Sequence, residues 1–113
     1  MTNEEYVRAK WLDGIGTGLW LYEAKRSYHL NLGDKEIKGT VSDKEAVWQR
    51  AYDFTVTRVE EIRQLDIEIS VVLEGVKEAY ENPADADKYG KPLSRTLGRL
   101  QSIRADLVRG MRL

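Results

Sequence analysis

SDKEAVWQRAYDFTVTRVEEIRQLDIEISVVLEGVKEAYEN, residues Ser42–Asn82, is the stretch whose reading decides the fold. Within it Trp48, Tyr52, Thr55, Val59, Ile62, Asp66, Ile69, Leu73, Val76 and Tyr80 recur in alternating steps of four and three. That is the 3.5-residue period of a coiled-coil-like helical seam, interrupted only by the polar Thr55 and Asp66. Leu65-Asp66-Ile67-Glu68-Ile69-Ser70-Val71 also alternates apolar and polar residues, as a strand does. The helix is preferred, because the seam runs through this segment and no turn residues bound it. Ser42-Asp43-Lys44-Glu45 has the Ser-x-x-Glu form of a capping box and marks the start.

A helix over 43 to about 82 would be roughly 60 Å long at 1.5 Å per residue. A compact chain of this length has a radius of gyration near ~13 Å, so the helix would overhang its own globule. Either it bends, with Gly75 the weak point, or a second copy covers the overhang. Ile67, Val71 and Val72 add apolar surface off the main seam, more than one partner face can bury. The expectation is a homo-oligomer, dimer or higher.

Working outward, Asn82 to Lys91 is a turn-rich loop, and Pro92 suits the first turn of a final helix. Leu93, Leu97, Leu100, Ile103, Leu107 and Met111 form that helix's apolar stripe, so two helices should make an antiparallel hairpin. Upstream, Thr2-Asn3-Glu4-Glu5 is another capping box and opens a short helix to about Leu12. Asp13-Gly14-Ile15-Gly16-Thr17-Gly18 ends it. Leu19–Ala24 and Tyr28–Leu32 then read as a β-hairpin with Tyr28, Leu30 and Leu32 inward. Residues 33–41 read as loop or a ragged third strand. The fold class is therefore α+β, mainly α, in a single domain of 113 residues with segments 1–41 and 42–113.

Composition narrows the function. There is no cysteine, which removes disulfides, thiolate nucleophiles and cysteine metal sites together. The longest aliphatic run, Val71-Val72-Leu73, is far short of a membrane span, and the N-terminus lacks a signal-peptide pattern. A cytoplasmic protein without a membrane partner is expected. The net charge of −1 hides an asymmetry: residues 1–42 balance six acids against six bases, residues 43–87 hold twelve acids against five bases, and residues 88–113 hold seven bases against Asp106 alone. The basic end either lies along the acidic helix or is left free for an anionic partner. Nucleic acid is disfavoured as that partner, since its binders usually carry a clear overall basic excess.

Motifs for catalysis are missing from the residues. Gly14-x-Gly16-x-Gly18 follows a helix and lacks the third glycine of a dinucleotide fingerprint. Asp85-x-Asp87-x-Tyr89-Gly90 echoes a calcium loop but places Thr96 where a bidentate Glu is needed. His29, the only histidine, lies on the outer strand face with no second ligand for a metal and no nucleophile motif nearby. The expectation is no enzyme, no cofactor and no metal. Asp66 and Arg104 each interrupt an apolar stripe at similar heights in the hairpin, so they should meet as a partly buried ion pair. Losing one partner of such a pair costs about 3–5 kcal/mol. Arg95, Arg99 and Arg109 would share one helix face within about 80° at 100° per residue. Guanidinium forks bind phosphate oxygens bidentately, and Tyr80, Asn82 and Tyr89 could supply a ring and an amide for a base. A solvated face paired with acids is the bland reading of the same residues.

Glu45-Ala46-Val47-Trp48-Gln49-Arg50-Ala51-Tyr52-Asp53-Phe54-Thr55, Glu60-Glu61-Ile62-Arg63-Gln64, Leu97-Gly98-Arg99-Leu100-Gln101 and Arg109-Gly110-Met111 are similar to segments of small phage-encoded proteins. The hairpin followed by two long helices resembles the anti-Thoeris sponges of phages. That resemblance implies a protein that sequesters a cyclic ADP-ribose-type immune signal, without cleaving it, in pockets at a subunit interface. It covers the architecture and assigns no residue, so the site residues above rest on their chemistry. Two other classes remain open: an anti-CRISPR-like inhibitor acting by protein–protein contact, whose acidic helix mimics nucleic-acid charge, and a structural helical oligomer.

Overall fold

The structure, a computed structural model, describes residues 1–112. It is an α+β fold, mainly helical. Helix α1 spans Asn3–Lys10, strands β1, β2 and β3 span Leu19–Glu23, Ser27–Leu32 and Lys35–Thr40, and α2 spans Lys44–Glu81. A single turn, α3 (Pro83–Asp85), and a π-helical turn (Ala86–Gly90) lead to α4, Lys91–Leu107. The chain forms two compact units divided inside α2, between Val59 and Glu60, and unit 1 also takes the C-terminal residues from Val108. Val47, Trp48 and Ala51 of α2 are buried within unit 1.

In unit 1, Thr2 caps α1 as the capping box requires, accepting from the Glu5 N–H at 3.1 Å. The strands form an antiparallel meander in the order β1-β2-β3. Tyr28, Leu30 and Leu32 are buried and alternate with half-exposed Ser27, His29 and Asn31, as read from the sequence. The ambiguous residues 33–41 resolve as a full third strand followed by a 3-10 turn at Val41–Asp43. The cause is the two-residue turn Gly33-Asp34 between the paired Leu32 and Lys35. Gly33 has φ +64, which a tight hairpin turn of this hand demands. Ser42 sits inside the 3-10 turn and its hydroxyl meets that of Thr40 at 3.1 Å, so the second capping box does not form as expected.

The core of unit 1 gathers Val7, Trp11, Leu30, Leu32, Val47, Trp48, Ala51 and Met111. Met111 is a correction: α4 ends at Leu107, and Met111 is no part of the helical stripe but bridges Trp11 in an antiparallel pair. The tail is held by backbone bonds, Leu12 N to Gly110 O at 2.9 Å and Arg112 N to Lys10 O at 2.8 Å.

In unit 2, the later part of α2 and α4 form an antiparallel hairpin. Three approaches fix its register: Asp66 with Arg104, Gly75 with Leu93, and Tyr80 with Gly90. The segment 65–71 is helix throughout. Packing is shallow. Among the described residues of this unit the buried side chains are Ile62 and Ala79, and α4 buries none at all. Ile67, Val71, Leu73 and Ile103 are between 38% and 67% exposed.

Candidate functional site

Arg95 and Arg99 stand one turn apart on α4, both exposed. Neighbours at this spacing lie about 5–6 Å apart at their Cβ atoms, and like charges there repel weakly. Elsewhere in unit 2 cations are matched: Arg63 with Glu60 at 2.6 Å, Lys77 with Glu74 at 3.6 Å, Lys91 with Asp87 at 3.0 Å and Arg104 with Asp66 at 2.5 Å. Among the described residues the Arg95 and Arg99 side chains have no hydrogen bond or ion pair. Between them Gly98 leaves open space, with nothing within 4 Å of where a Cβ would stand.

The other residues singled out from sequence fare differently. Tyr80 is half-exposed and lays its ring on Gly90; a Cβ there would stand 2.8 Å from its Cε2. Tyr89 is 49% exposed with the Lys88 ammonium 5.1 Å from its ring centroid. Asn82 is the N-cap of α3, and its side-chain oxygen accepts from the Ala84 N–H at 3.0 Å. Arg109 lies beyond the end of α4, in unit 1, and has contacts of its own. The 100° register that grouped it with Arg95 and Arg99 stops at Leu107. Asp66 and Arg104 are brought together with side chains 50% and 37% exposed, so the pair is only partly buried.

The Glu60 carboxyl is lowered to about 2, chiefly because it accepts from Arg63 and then from Gln64. The Lys44 ammonium is raised by its hydrogen bond to Glu23, at 2.9 Å. No group of three or more His, Asp or Glu able to hold a metal occurs among the described residues. His29 contacts Glu36 at 3.1 Å.

Two grooves in unit 1 were not anticipated. One, of about 790 Å³, lies where the first turns of α1 and α2 meet Tyr28 and Trp48. Trp48 Nε1 donates to the Tyr28 hydroxyl at 3.0 Å, and Arg8 and Lys44 lie over the two rings. The other joins β3 to Arg50 and Phe54. The signal for the second was present as Arg50, Phe54 and Arg58 at four-residue intervals, which puts two cations and a ring on one helix face.

No family model matches the chain, and neither a curated protein nor a solved structure matches it significantly. No described helix is long and apolar enough to cross a membrane.

Proposed function

We propose that the protein is a non-enzymatic binder that sequesters an anionic, nucleotide-type ligand of the cyclic ADP-ribose class, as a phage or mobile-element counter-defence protein. Arg95 and Arg99 grip its phosphates, and a second copy of the chain completes the pocket. The observation that carries this reading is the unmatched arginine pair: two guanidiniums one turn apart, exposed, in a unit whose other cations have carboxylate or ring partners. Each fork has five N–H donors and binds phosphate oxygens in bidentate fashion. Tyr80 and Tyr89 supply half-exposed rings at the closed end of the same hairpin. The unburied stripe of α4 supports the second copy, because a two-helix hairpin cannot close a core by itself.

A second reading rests on a different observation. Glu61, Glu68, Glu78 and Glu81 are exposed on α2 without ion-pair partners among the described residues. An acidic face of that kind suits an inhibitor that docks on a basic, nucleic-acid-binding surface of a host defence complex.

Thermal unfolding in the presence of cyclic and dinucleotide signals separates the two. A rise in melting temperature with one of them, abolished by Arg95→Glu with Arg99→Glu and accompanied by release of unmodified ligand on heating, supports sequestration. No rise with any such ligand sinks it and leaves the acidic face as the working surface.

A further inference from the structure

The groove of unit 1 between β3 and α2 gathers positive charge that the arginine pair of unit 2 does not account for. It measures about 470 Å³ and is lined by Lys35, Glu36, Ile37, Lys38, Arg50 and Phe54. Strand β3 is an end strand, so one side of its backbone is left without a sheet partner. The Lys38 carbonyl lies on that side, because it accepts a hydrogen bond from the Arg50 guanidinium. In an antiparallel ladder a residue's N–H and C=O point the same way, and the pattern repeats every second residue. The N–H groups of Lys38 and Glu36 therefore face outward along the same edge as the groove.

Charge and geometry agree there. Among the described residues Lys35 has no carboxylate partner; its ammonium sits 6.0 Å from the Phe54 ring centroid. Arg50 spends one nitrogen on the Lys38 carbonyl and keeps the rest of its fork. The one acid of the groove, Glu36, is turned to His29 at 3.1 Å and to Lys38 at 3.9 Å. Phe54 is no platform for a base, since Trp11 stacks on it at 6.2 Å and 17°, and Arg58 lies 5.0 Å from its centroid. The ring is occupied by Trp11 and by the charged ends of Lys35 and Arg58, so what the groove offers a ligand is positive charge.

We infer that this groove binds a small phosphate-bearing anion through Lys35, Lys38, Arg50 and the outward N–H groups of β3. Strand addition by an acidic peptide is the rival occupant of any free edge. It is disfavoured because Arg50 already fills the Lys38 carbonyl that an added strand would need, and because edge lysines oppose such pairing. The inference does not rest on the ligand proposed for Arg95 and Arg99.

The test is a titration of ¹⁵N-labelled protein with inorganic pyrophosphate. Saturating shifts of the Glu36 and Lys38 amides are expected, with a dissociation constant on the order of 1 mM or tighter. Lys35→Gln with Lys38→Gln should weaken binding by about tenfold or more, whereas Arg95→Glu with Arg99→Glu should leave these shifts in place. Both lysines are exposed and neither side chain supports the sheet, and Lys35→Gln alone provides a milder check. The inference is overturned if the shifts are absent, if sodium chloride at matched ionic strength reproduces them, or if the double variant binds as well as the parent. Stronger, strand-wide shifts with an acidic peptide would overturn it in favour of strand addition.

Discussion

The Trp11 indole N–H donates to the Thr55 hydroxyl at 3.0 Å, and that hydroxyl in turn donates to the Ala51 carbonyl at 2.7 Å. Both side chains are fully buried. This explains one of the two polar residues in the seam of α2: Thr55 is there to satisfy an indole that the core of unit 1 could not otherwise afford to bury.

Thr55→Val keeps the shape of that side chain and removes its oxygen. The indole N–H is then left unsatisfied in the core, at a cost of about 1–3 kcal/mol. Thr55→Ser keeps the bond and loses one methyl, about 1 kcal/mol. Urea unfolding followed by tryptophan fluorescence should therefore rank Val below Ser. The reverse order would mean that the hydrogen bond contributes less than the methyl.

The other polar residue of the seam has a different explanation. Asp66 meets Arg104 at 2.5 Å, but both are more than a third exposed. Exposed ion pairs contribute about 0–1 kcal/mol, so Asp66→Ala and Arg104→Ala should each cost less than about 1 kcal/mol. A double-mutant cycle in low salt should show a small coupling that fades in high salt. A coupling of several kcal/mol would mean that the pair is buried in the functioning protein, as it would be if a second copy covered it.

Two glycines with positive φ should respond differently to the same substitution. Gly16 has φ +86 and open space around it, so Gly16→Ala meets only backbone strain of about 1–2 kcal/mol. Gly110 has φ +80, and its Cβ would fall 1.6 Å from the Thr17 carbonyl oxygen. Gly110→Ala should cost about 2–4 kcal/mol, strain and overpacking together, and detach the tail from unit 1. Protease sensitivity of the C-terminus would report it. Equal stabilities for the two variants would argue against the tail's docking.

The carboxyl of Glu60 is held well below the usual carboxylate range by its neighbours on α2. Its value is lowered from 4.5 to about 2 by Arg63 first and Gln64 second. A group depressed on folding contributes stability that is present above its unfolded value and lost as pH falls through the folded one. The difference between wild type and Glu60→Gln should thus be constant near neutrality and vanish between about pH 4.5 and pH 2. Carbon-detected titration of the Glu60 side chain reads the midpoint directly, and a midpoint near 4.5 would refute the cluster.

Much of this architecture was legible because its signals are local. The seam from Trp48 to Tyr80 and the alternation Tyr28-Leu30-Leu32 are each set by periodicity, and periodicity survives folding. What was not legible depends on pairing at a distance. Met111 fits the helical stripe of Leu93 to Leu107 in sequence, yet the chain turns at Val108–Gly110 to bring it to Trp11. Arg109 left the arginine face for the same reason. Lys35 and Lys38 acquire Arg50 as a neighbour only after the Gly33-Asp34 turn folds β3 back. Of the site read from the sequence, the pair at four-residue spacing, Arg95 and Arg99, keeps its geometry because both residues lie inside one helix.

Val71 and Ile67 stand one turn apart on α2, 67% and 48% exposed, and Ile103 on α4 is 44% exposed. A hairpin with no buried residue on α4 has spent the entropy of ordering two helices while removing their stripes from water only in part. Self-association recovers that apolar area at about 25 cal/mol per Å². Sedimentation should therefore show a dimer or larger species, and Val71→Glu with Ile103→Glu should convert it to monomer with unit 2 loosened. Amide exchange along 60–107 would then accelerate in the variant, while the core of unit 1 around Trp11 and Leu30 stays protected. A wild-type chain that sediments as a monomer, with slow exchange along α4, would remove the second copy from the proposed site and leave Arg95 and Arg99 to bind without a wall.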